Sequence, residues 1–343
     1  MTHQNIALLG FGNVGQALVR LLQRKKDLLL KDHDLRCTIV GIATGRHGMA
    51  IDPAGIDIEQ ALQLISAGGK LDSLSTLPHI TDPFEFIRTC GADVLFENTP
   101  VSYMDGQPAV SYLRTALQAG MHAITANKGP VVHAYRELTA LAVQHGRKFY
   151  FESAVMDGAP IFSLFRESLP AASLQGFSGI LNSTTNLVLT RMEAGDSFEN
   201  AVAYAQSIGL AETDPSGDID GWDASVKVAA LVTVLMGIPL KPADVARTGI
   251  RHLTAGDVLQ AHKQGKRWKL VCSAQRKGAS VEARVCPELV GIDSPFYGVH
   301  GTSSIVTFET DVLPQLSIVE DNPGPETTAY GLLADFINAV RAD

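Results

Sequence analysis

The sequence predicts an α/β protein, with a doubly wound parallel sheet in one domain and a second domain of the α+β class. Two observations predict this class. Short apolar runs alternate with helical patterns over residues 1–150, and after Phe151 the pattern changes to longer helices and strand pairs. Alternating strands and helices are typical of βαβ units, which build parallel sheets. We therefore assign residues 1–150 to the first domain and 151–324 to the second, and expect a terminal helix within 325–343 to complete the first.

The individual strands and helices are predicted from hydrophobic periodicity. Compact apolar runs predict strands buried on both faces, at 6–9, 37–43, 92–96 and 122–125. Apolar residues three and four apart predict helices in the same domain, at 16–24, 108–119 and 134–144. In the second domain we expect helices at 200–208 and 222–236 and antiparallel strands at 268–274, 280–285 and 304–309. The terminal helix is expected at 328–340.

The composition indicates a globular protein of the cytoplasm. Of its 343 residues, 45% are hydrophobic and 19% are charged, which excludes a disordered chain. A formal net charge of −8 argues against binding to nucleic acid or to an anionic membrane surface. No stretch reaches the roughly 18 uninterrupted apolar residues of a membrane span. The four cysteines form no Cys-x-x-Cys pair and suit a reducing compartment.

A glycine-rich turn follows the first predicted strand. It has the pattern Gly-x-Gly-x-x-Gly and consists of Gly10, Phe11, Gly12, Asn13, Val14 and Gly15. In a Rossmann-type domain the first glycine forms a tight turn, the second admits a pyrophosphate, and the third lets helix and strand pack closely. The next helix then points its N-terminal N–H groups at the phosphates. The turn therefore predicts a dinucleotide site, and a purely structural turn is the alternative.

The end of the second strand bears on which dinucleotide binds. An acidic residue at this position would hold the ribose hydroxyls of NAD. The segment after Ala43 contains Arg46 and no Asp or Glu. A guanidinium pairs with a 2′-phosphate, whereas a carboxylate repels it. Arg46 therefore favours NADP over NAD, unless it is only a solvated loop residue.

Five carboxylates precede a single lysine between residues 212 and 227, and they belong to Glu212, Asp214, Asp218, Asp220 and Asp223. Asp223 and Lys227 are four residues apart, so they share one face of the predicted helix. The residues after Lys227 are almost all apolar, which places this lysine where a helix enters the interior. Burial lowers the pKa of a lysine and nearby carboxylates raise it, and such opposed influences suit a proton donor or a substrate ligand. A structural ion-pair network is the alternative. The spacing does not match a calcium-binding EF-hand loop.

A second lysine, Lys128, follows the strand predicted at 122–125. Ligands of open α/β sheets bind at the carboxyl edge of the strands. We therefore expect Lys128 to point toward the cofactor crevice, with a surface loop lysine as the alternative.

Five segments, in this order, resemble the homoserine dehydrogenase family: residues 10–15, 97–100, 125–130, 179–186 and 212–227. The spacing of Glu212, Asp223 and Lys227 is similar to the family signature, and the resemblance covers nearly the whole chain. It implies a reversible, NAD(P)-dependent reduction of L-aspartate 4-semialdehyde to L-homoserine, on the route to threonine, methionine and isoleucine.

The resemblance also implies roles for individual residues. The expected catalytic residues are the proton donor Lys227 and the assisting Lys128. The residues expected to bind the substrate are Glu212, Asp223, Asp218, Ser183 and Thr184. Cofactor contacts beyond the glycine turn and Arg46 are expected from Thr99, Lys128, Gly209 and Gly324.

Members of this family bind a sodium ion, mostly through carbonyl oxygens, and are usually homodimers. The segment similar to their ion site is residues 152–159, with the expected ligands Glu152, Val155, Asp157 and Ala159. Met156 and Asp157 stand where many members have glycines. The chain ends where longer members continue into a regulatory domain, so we expect a short form without threonine feedback through such a domain.

Two other functions stay open at this point. One is another Rossmann-type oxidoreductase acting on an amino-acid-derived substrate, such as an aspartate dehydrogenase. The other is a catalytically idle protein that only binds NADP. An aspartate dehydrogenase does not require the pattern from Glu212 to Lys227. An idle NADP-binding protein gives the lysine and the carboxylates of this pattern no function.

Overall fold

The computed structural model describes residues 2–341, which divide into two compact units. Unit 1 contains the chain up to Pro160 and again from Gly324, and unit 2 contains Ile161–Pro323. Residues 151–160, which the sequence pattern assigned to the second domain, lie in unit 1. They are held there by side-chain contacts: the rings of Phe149 and Phe151 pack 5.0 Å apart, and Ser153 Oγ donates to the carbonyl of Thr328 over 2.7 Å.

Unit 1 is built on a six-stranded sheet in the order β3-β2-β1-β4-β5-β6. Its strands are Thr2–Leu9 (β1), Leu35–Ala43 (β2), Met49–Ile51 (β3), Val94–Glu97 (β4), His122–Thr125 (β5) and Phe149–Tyr150 (β6). Neighbouring strands are parallel except β3, which pairs antiparallel with β2 at one edge. This is the strand order of a doubly wound dinucleotide-binding sheet, so the predicted fold class is confirmed.

Helices connect these strands. They are Asn13–Arg24 (α1), Lys26–His33 (α2), Ile58–Ser66 (α3), Pro83–Thr89 (α4), Ala109–Gln118 (α5), Lys128–Gln144 (α6) and Ser153–Met156 (α7). A short 3-10 helix lies at Leu71–Leu74. Side-chain caps define several helix starts: Asp57 accepts from Gln60 N, and Asn127 accepts from Gly129 N. Such caps satisfy N–H groups that have no partner within the helix.

Unit 2 is an α+β unit whose six-stranded sheet has the order β12-β11-β7-β9-β10-β8. Its strands are Leu174–Ile180 (β7), Ala246–Arg247 (β8), Arg267–Lys277 (β9), Ser280–Val290 (β10), Ser304–Thr310 (β11) and Leu316–Glu320 (β12). All pairs are antiparallel except β8 with β10. Its helices are Ser183–Glu193 (α8), Phe198–Ser207 (α9), Ser216–Ile219 (α10), Trp222–Leu235 (α11) and Ala255–Lys263 (α12). A π-helical turn at Leu164–Ser168 and a 3-10 helix at Pro242–Asp244 complete the unit.

The last helix, Pro325–Val340 (α13), belongs to unit 1. Leu332, Leu333 and Phe336 lie in one apolar core with side chains of β1 and α1. The ring of Phe336 stands edge-on to Phe96 of β4, with centroids 6.0 Å apart. Burying such a ring stabilises a fold by roughly 2–3 kcal/mol. Among residues 2–341, no helix has both the length and the apolar character that crossing a bilayer requires.

Candidate active site

The glycine turn joins β1 to α1 as the sequence predicts, and each glycine has a distinct surrounding. Gly10 has φ +98°, and a Cβ there would overlap the carbonyl oxygen of Asn98. A Cβ on Gly15 would lie 2.7 Å from the carbonyl oxygen of Gly10. Around Gly12 there is open space, because a Cβ on this residue would meet no atom within 4 Å. Gly10 and Gly15 therefore allow close backbone packing, while Gly12 leaves room for a ligand.

The start of α1 suits a negatively charged ligand. Gly12 occupies the N-cap position and offers no side chain to the first N–H groups of the helix, and the first turn carries no acidic residue. Phe11 is buried, and Val14 packs against the unit 1 core, so the turn is anchored on its protein side. Unpaired N–H groups and the positive end of the helix dipole attract phosphate. These residues fit the pyrophosphate of a dinucleotide.

Two basic residues meet beyond the end of β2. Arg46 is exposed in the turn between β2 and β3. Lys70 Nζ donates to the carbonyl oxygen of Arg46 over 2.6 Å. Thr44 and Gly48 close the same turn through a hydrogen bond of 3.0 Å. The sequence analysis missed Lys70, because 24 residues separate it from Arg46 and no local pattern marks it.

A buried hydrogen-bond network joins the ends of β4 and β5. The carboxylate of Glu97, which is fully buried, accepts from Thr99 N over 2.8 Å, from the Thr99 hydroxyl, and from Thr125 Oγ1 over 2.7 Å. Asn127 Nδ2 donates to the carbonyl of Thr99 over 3.2 Å and caps α6, whose first residue is Lys128. Burial raises the pKa of Glu97, and these hydrogen bonds oppose the rise. The network thus fixes both Thr99 and the start of the helix that carries Lys128.

Asn98, which follows Glu97, has an unsatisfied amide. Its Oδ1 and Nδ2 are both buried, and neither has a hydrogen-bond partner among the described residues. Its carbonyl is the group that crowds Gly10. Orphaned polar atoms of this kind are uncommon in folded proteins, and a bound polar ligand is one way to satisfy them. This observation agrees with a cofactor site at this edge of the sheet.

In unit 2, Lys227 and Asp223 lie on one face of α11 as the sequence predicts. Lys227 Nζ is 3.4 Å from Asp223 Oδ2, and the two side chains are only 16% and 13% exposed. The same ammonium donates to the carbonyl oxygen of Leu181 over 2.6 Å. Lys227 is therefore a paired, largely desolvated ammonium with defined partners.

Asp218, on α10, lies beside this pair. Its Oδ1 accepts from Asn182 Nδ2 over 2.7 Å, and Asn182 Nδ2 also donates to Asp223 Oδ2 over 3.1 Å. Burial, followed by repulsion from Asp223, raises the pKa of Asp218, while hydrogen bonds from Asn182 and Thr184 oppose the rise. We call Asn182, Asp218, Asp223 and Lys227 the lysine–carboxylate cluster. It can bind a cationic group and deliver a proton in one place.

The other residues predicted to bind the substrate or the cofactor are placed as follows. Ser183 opens α8 with its Oγ 3.5 Å from Ser304 Oγ. Glu212 is exposed in the loop after α9. Among residues 2–341, we find no hydrogen bond or ion pair between its carboxylate and the lysine–carboxylate cluster. Gly209 has φ +72° in the turn that ends α9. Gly324 caps α13, and its carbonyl accepts from Thr328 Oγ1 over 3.0 Å.

The segment predicted to bind sodium folds as the short helix α7 and the turn after it. Val155 and Ala159 are buried, and Glu152 N donates to Asp335 Oδ2 over 2.6 Å. Asp157 has φ +41°, and its Oδ1 accepts from Thr328 Oγ1 over 2.8 Å. Within residues 2–341 no group of three or more His, Cys, Asp or Glu side chains could hold a metal ion. The oxygens that this segment offers include its backbone carbonyls and the carboxylates of Glu152 and Asp157.

The thiols are poor nucleophiles. Burial raises the pKa of Cys37 to about 11 and that of Cys272 to about 12, and it also raises the pKa of Cys90 and Cys286. A protonated thiol does not attack a carbonyl carbon.

A dinucleotide-binding sheet in unit 1 and a desolvated lysine paired with Asp223 in unit 2 are features of a nicotinamide-dependent oxidoreductase. The comparisons with known proteins agree. Residues 10–152 match a family model described as the NAD-binding domain of homoserine dehydrogenase. Residues 160–337 match a second family model, described as homoserine dehydrogenase. The chain belongs to the homoserine dehydrogenase family, and this assignment holds over an aspartate dehydrogenase or an idle NADP-binding protein.

Named relatives cover nearly the whole chain. An NAD(+)-dependent homoserine dehydrogenase of Pseudomonas canavaninivorans is 35% identical over 341 residues, which are 98% of this chain and 96% of the relative. The homoserine dehydrogenase of Methanocaldococcus jannaschii is 35% identical and covers 98% of this chain and 99% of its own. A solved hyperthermophilic archaeal homoserine dehydrogenase in complex with NADPH is similar with a TM-score of 0.82 and 27% identity, over 98% of each chain.

The sequence analysis gave no role to three further site residues, Asn182, Glu97 and Asn127. All three lie in segments that resemble the family, but only a local signal was available for them. An Asn directly before Ser-Thr-Thr, or after a strand and before Lys-Gly-Pro, is a helix N-cap signal. An N-cap signal predicts the hydrogen bond that the amide oxygen accepts. It does not predict which groups accept hydrogen bonds from the amide N–H groups.

Proposed function

We propose that this chain reduces L-aspartate 4-semialdehyde to L-homoserine reversibly, and thereby serves threonine, methionine and isoleucine biosynthesis. The observation that carries the proposal is the pairing of Lys227 with Asp223 and Leu181 in a desolvated cluster. A bound reduced nicotinamide would supply the hydride. The residues of this chain supply binding, orientation and the proton.

Lys227 is proposed to donate a proton to the aldehyde oxygen. That oxygen develops negative charge as the carbonyl is reduced, and a nearby ammonium lowers the barrier both by its charge and by its proton. The Leu181 carbonyl accepts a hydrogen bond from the ammonium and Asp223 pairs with it, and these contacts position the proposed donor. Lys128, at the start of α6, is proposed to assist.

The carboxylates are proposed to recognise the amino group of the substrate. Asp223 and Asp218 present acceptor oxygens from two helices, and an ammonium donates charge-assisted hydrogen bonds to such oxygens. Glu212 is proposed to join them from its exposed loop. The turn of Ser183 and Thr184 is proposed to meet the substrate carboxylate, because N–H groups at the start of α8 favour an anion.

A Lys227→Met variant tests this assignment. Loss of a general acid lowers turnover by about 10²–10⁴-fold, while binding of the cofactor alone changes little. The matched control is Lys263→Met, since Lys263 is an exposed lysine in the last turn of α12. Wild-type turnover in the Lys227 variant, with aspartate semialdehyde and NADPH, would remove Lys227 from its proposed role.

NADP is proposed as the preferred cofactor, with NAD also accepted. Support comes from Arg46 and from the ammonium of Lys70, which donates to the Arg46 carbonyl. Arg46→Ala is expected to weaken NADP binding about tenfold, the size of one charge-assisted hydrogen bond, and to leave NAD binding unchanged. Added salt should shrink the difference, because exposed ion pairs are screened. Equal changes for NAD and NADP in fluorescence titrations would contradict this preference.

A sodium ion at residues 152–159, a homodimer and a cytoplasmic location complete the proposal. Hard carbonyl oxygens suit sodium, and a rise in melting temperature in NaCl over choline chloride is the expected result. The dimer is proposed from the family resemblance; Leu289 on β10 and Val319 on β12, 47% and 55% exposed, are apolar side chains that an interface could cover. Sedimentation velocity of the purified chain should give twice the mass of one chain. Cell fractionation with an antibody tests the location.

A further inference from the structure

One side-chain amide, that of Asn182, joins the two carboxylates of the lysine–carboxylate cluster. This residue lies between β7 and α8 and is only 4% exposed. Its Nδ2 carries two hydrogens and lies 2.7 Å from Asp218 Oδ1 and 3.1 Å from Asp223 Oδ2. Each hydrogen therefore serves a different carboxylate, one on α10 and one on α11.

The other end of the amide fixes its orientation. Asn182 Oδ1 accepts from Thr185 N over 2.9 Å and lies 2.9 Å from Thr185 Oγ1. Turning the amide over would set its NH₂ group against the N–H of Thr185 and its oxygen against two carboxylates. Neither contact is a hydrogen bond, because both partners would then be donors or both acceptors. The cap of α8 thus aims the two N–H bonds.

The neighbouring residue extends this arrangement. The Leu181 carbonyl accepts from Lys227 Nζ over 2.6 Å. Two consecutive residues, Leu181 and Asn182, therefore contact the ammonium and both carboxylates that the proposed function uses. Asn182 lies 36 and 41 residues before the two aspartates, and Leu181 lies 46 before the lysine.

We infer that Asn182 is a positioning residue for substrate recognition, and this inference rests on the proposed function. Two buried carboxylates side by side repel each other, which favours protonation of one of them. The neutral Asn182 amide donates one hydrogen bond to each carboxylate, which offsets their repulsion and leaves the charge of both in place. It also leaves the cluster with the net negative charge that a substrate ammonium requires. Asn182 acts through Asp218 and Asp223 and sets their separation and their charge.

Two variants separate this role from helix capping. Asn182→Ser and Asn182→Asp both keep an N-cap acceptor for α8, and both lose the paired N–H donors. We expect KM for homoserine to rise by about tenfold or more, which corresponds to about 1.4 kcal/mol. The rise should be larger for Asn182→Asp, which adds a third carboxylate. KM for the cofactor should stay within about twofold, and kcat should change less than KM.

The matched control is Thr185→Val, which removes the hydroxyl contacts to Oδ1 and to the backbone carbonyl of Asn182 and keeps the Thr185 N–H on Oδ1. Its KM for homoserine should stay within about twofold of wild type. A second readout is the inhibition constant of 4-hydroxybutanoate, which is homoserine without its amino group. That constant should be equal in wild type and in both Asn182 variants, because the carboxylates have no ammonium to hold in this ligand.

Unchanged KM for homoserine in both Asn182 variants would overturn the inference. So would an equal weakening of 4-hydroxybutanoate and homoserine, because that would reveal a general structural role. Failure of the proposed function is recognised separately by Lys227→Met. Wild-type turnover of Lys227→Met would reject the proposed active site as a whole. Loss of turnover in Lys227→Met together with an unchanged KM for homoserine in the Asn182 variants would reject only the role of Asn182.

Discussion

Replacing the middle glycine of the 10–15 turn by alanine separates cofactor binding from folding. Gly12 has φ −78° and ψ −158°, which alanine adopts without strain, and nothing lies within 4 Å of the added methyl group. The lower unfolded-state entropy of alanine and its poorer N-cap propensity oppose each other, so stability should change by less than about 1 kcal/mol. That is a shift of at most about 3 °C in melting temperature.

Cofactor binding should respond far more strongly to this change, because the methyl group takes the space that the pyrophosphate needs. Overpacking of one methyl group costs about 1–3 kcal/mol, which is about 5- to 150-fold in affinity for both NADH and NADPH. Fluorescence titration with both cofactors, beside thermal unfolding followed by circular dichroism, measures the two effects on one sample. Wild-type affinity in Gly12→Ala would refute the role of this turn in cofactor binding.

Gly10→Ala is the contrasting variant. At φ +98° an alanine is strained, and its Cβ would overlap a backbone oxygen that cannot rotate away. Strain of about 1–3 kcal/mol and a similar overpacking cost together lower the melting temperature by about 10 °C. A melting temperature as high as that of Gly12→Ala would show that the close approach of Asn98 does not constrain Gly10.

Three buried titratable groups give further predictions, each followed by urea unfolding across pH. Burial raises the pKa of Glu97 above 4.5, so wild-type stability should fall relative to Glu97→Gln as pH rises through that raised pKa. Burial lowers the pKa of His122 from 6.5 to about 4, so wild type should lose about 3 kcal/mol relative to His122→Asn between pH 6.5 and 4. Burial lowers the pKa of Lys269 from 10.5 to about 8, so wild-type stability should rise relative to Lys269→Met between pH 8 and 10.5.

Parallel pH curves for a variant and wild type would contradict the corresponding prediction. The His122 case has a structural check, because Nδ1 of this ring accepts from Lys148 N over 3.1 Å and the ring is therefore neutral in the fold. Asparagine keeps an acceptor at that position. The expected difference thus comes from the charge and not from a lost hydrogen bond.

Glycine spacing and apolar periodicity predicted elements whose residues are contiguous in the sequence. β1, the glycine turn and α1 are contiguous, and their glycine spacing and apolar periodicity predict all three. The strands Met49–Ile51 and Phe149–Tyr150 escaped prediction, because two or three residues carry no period and pairing alone defines them. Across the site, helix spacing correctly paired Asp223 with Lys227.

The contacts that sequence could not predict join distant segments. The amide of Asn182 reaches Asp218 and Asp223 across 36 and 41 residues of chain, which include three complete helices and the start of a fourth. Lys70 reaches the turn after β2 in the same way. Glu212 is the opposite case, since its place in the family signature did not predict that its side chain would be exposed.

The position of α13 affects the order in which the protein forms on the ribosome. The sheet of unit 1 ends at Tyr150, but the helix that covers its core begins at Pro325, after all of unit 2 has been made. At roughly 5–20 residues per second, synthesis of the intervening chain takes about 10–35 s. Throughout that interval the apolar side chains around Phe96 lack the partners that Phe336 and Leu332 later provide. Unit 1 can therefore complete its core only after unit 2 has been made, although its sheet comes first in the sequence.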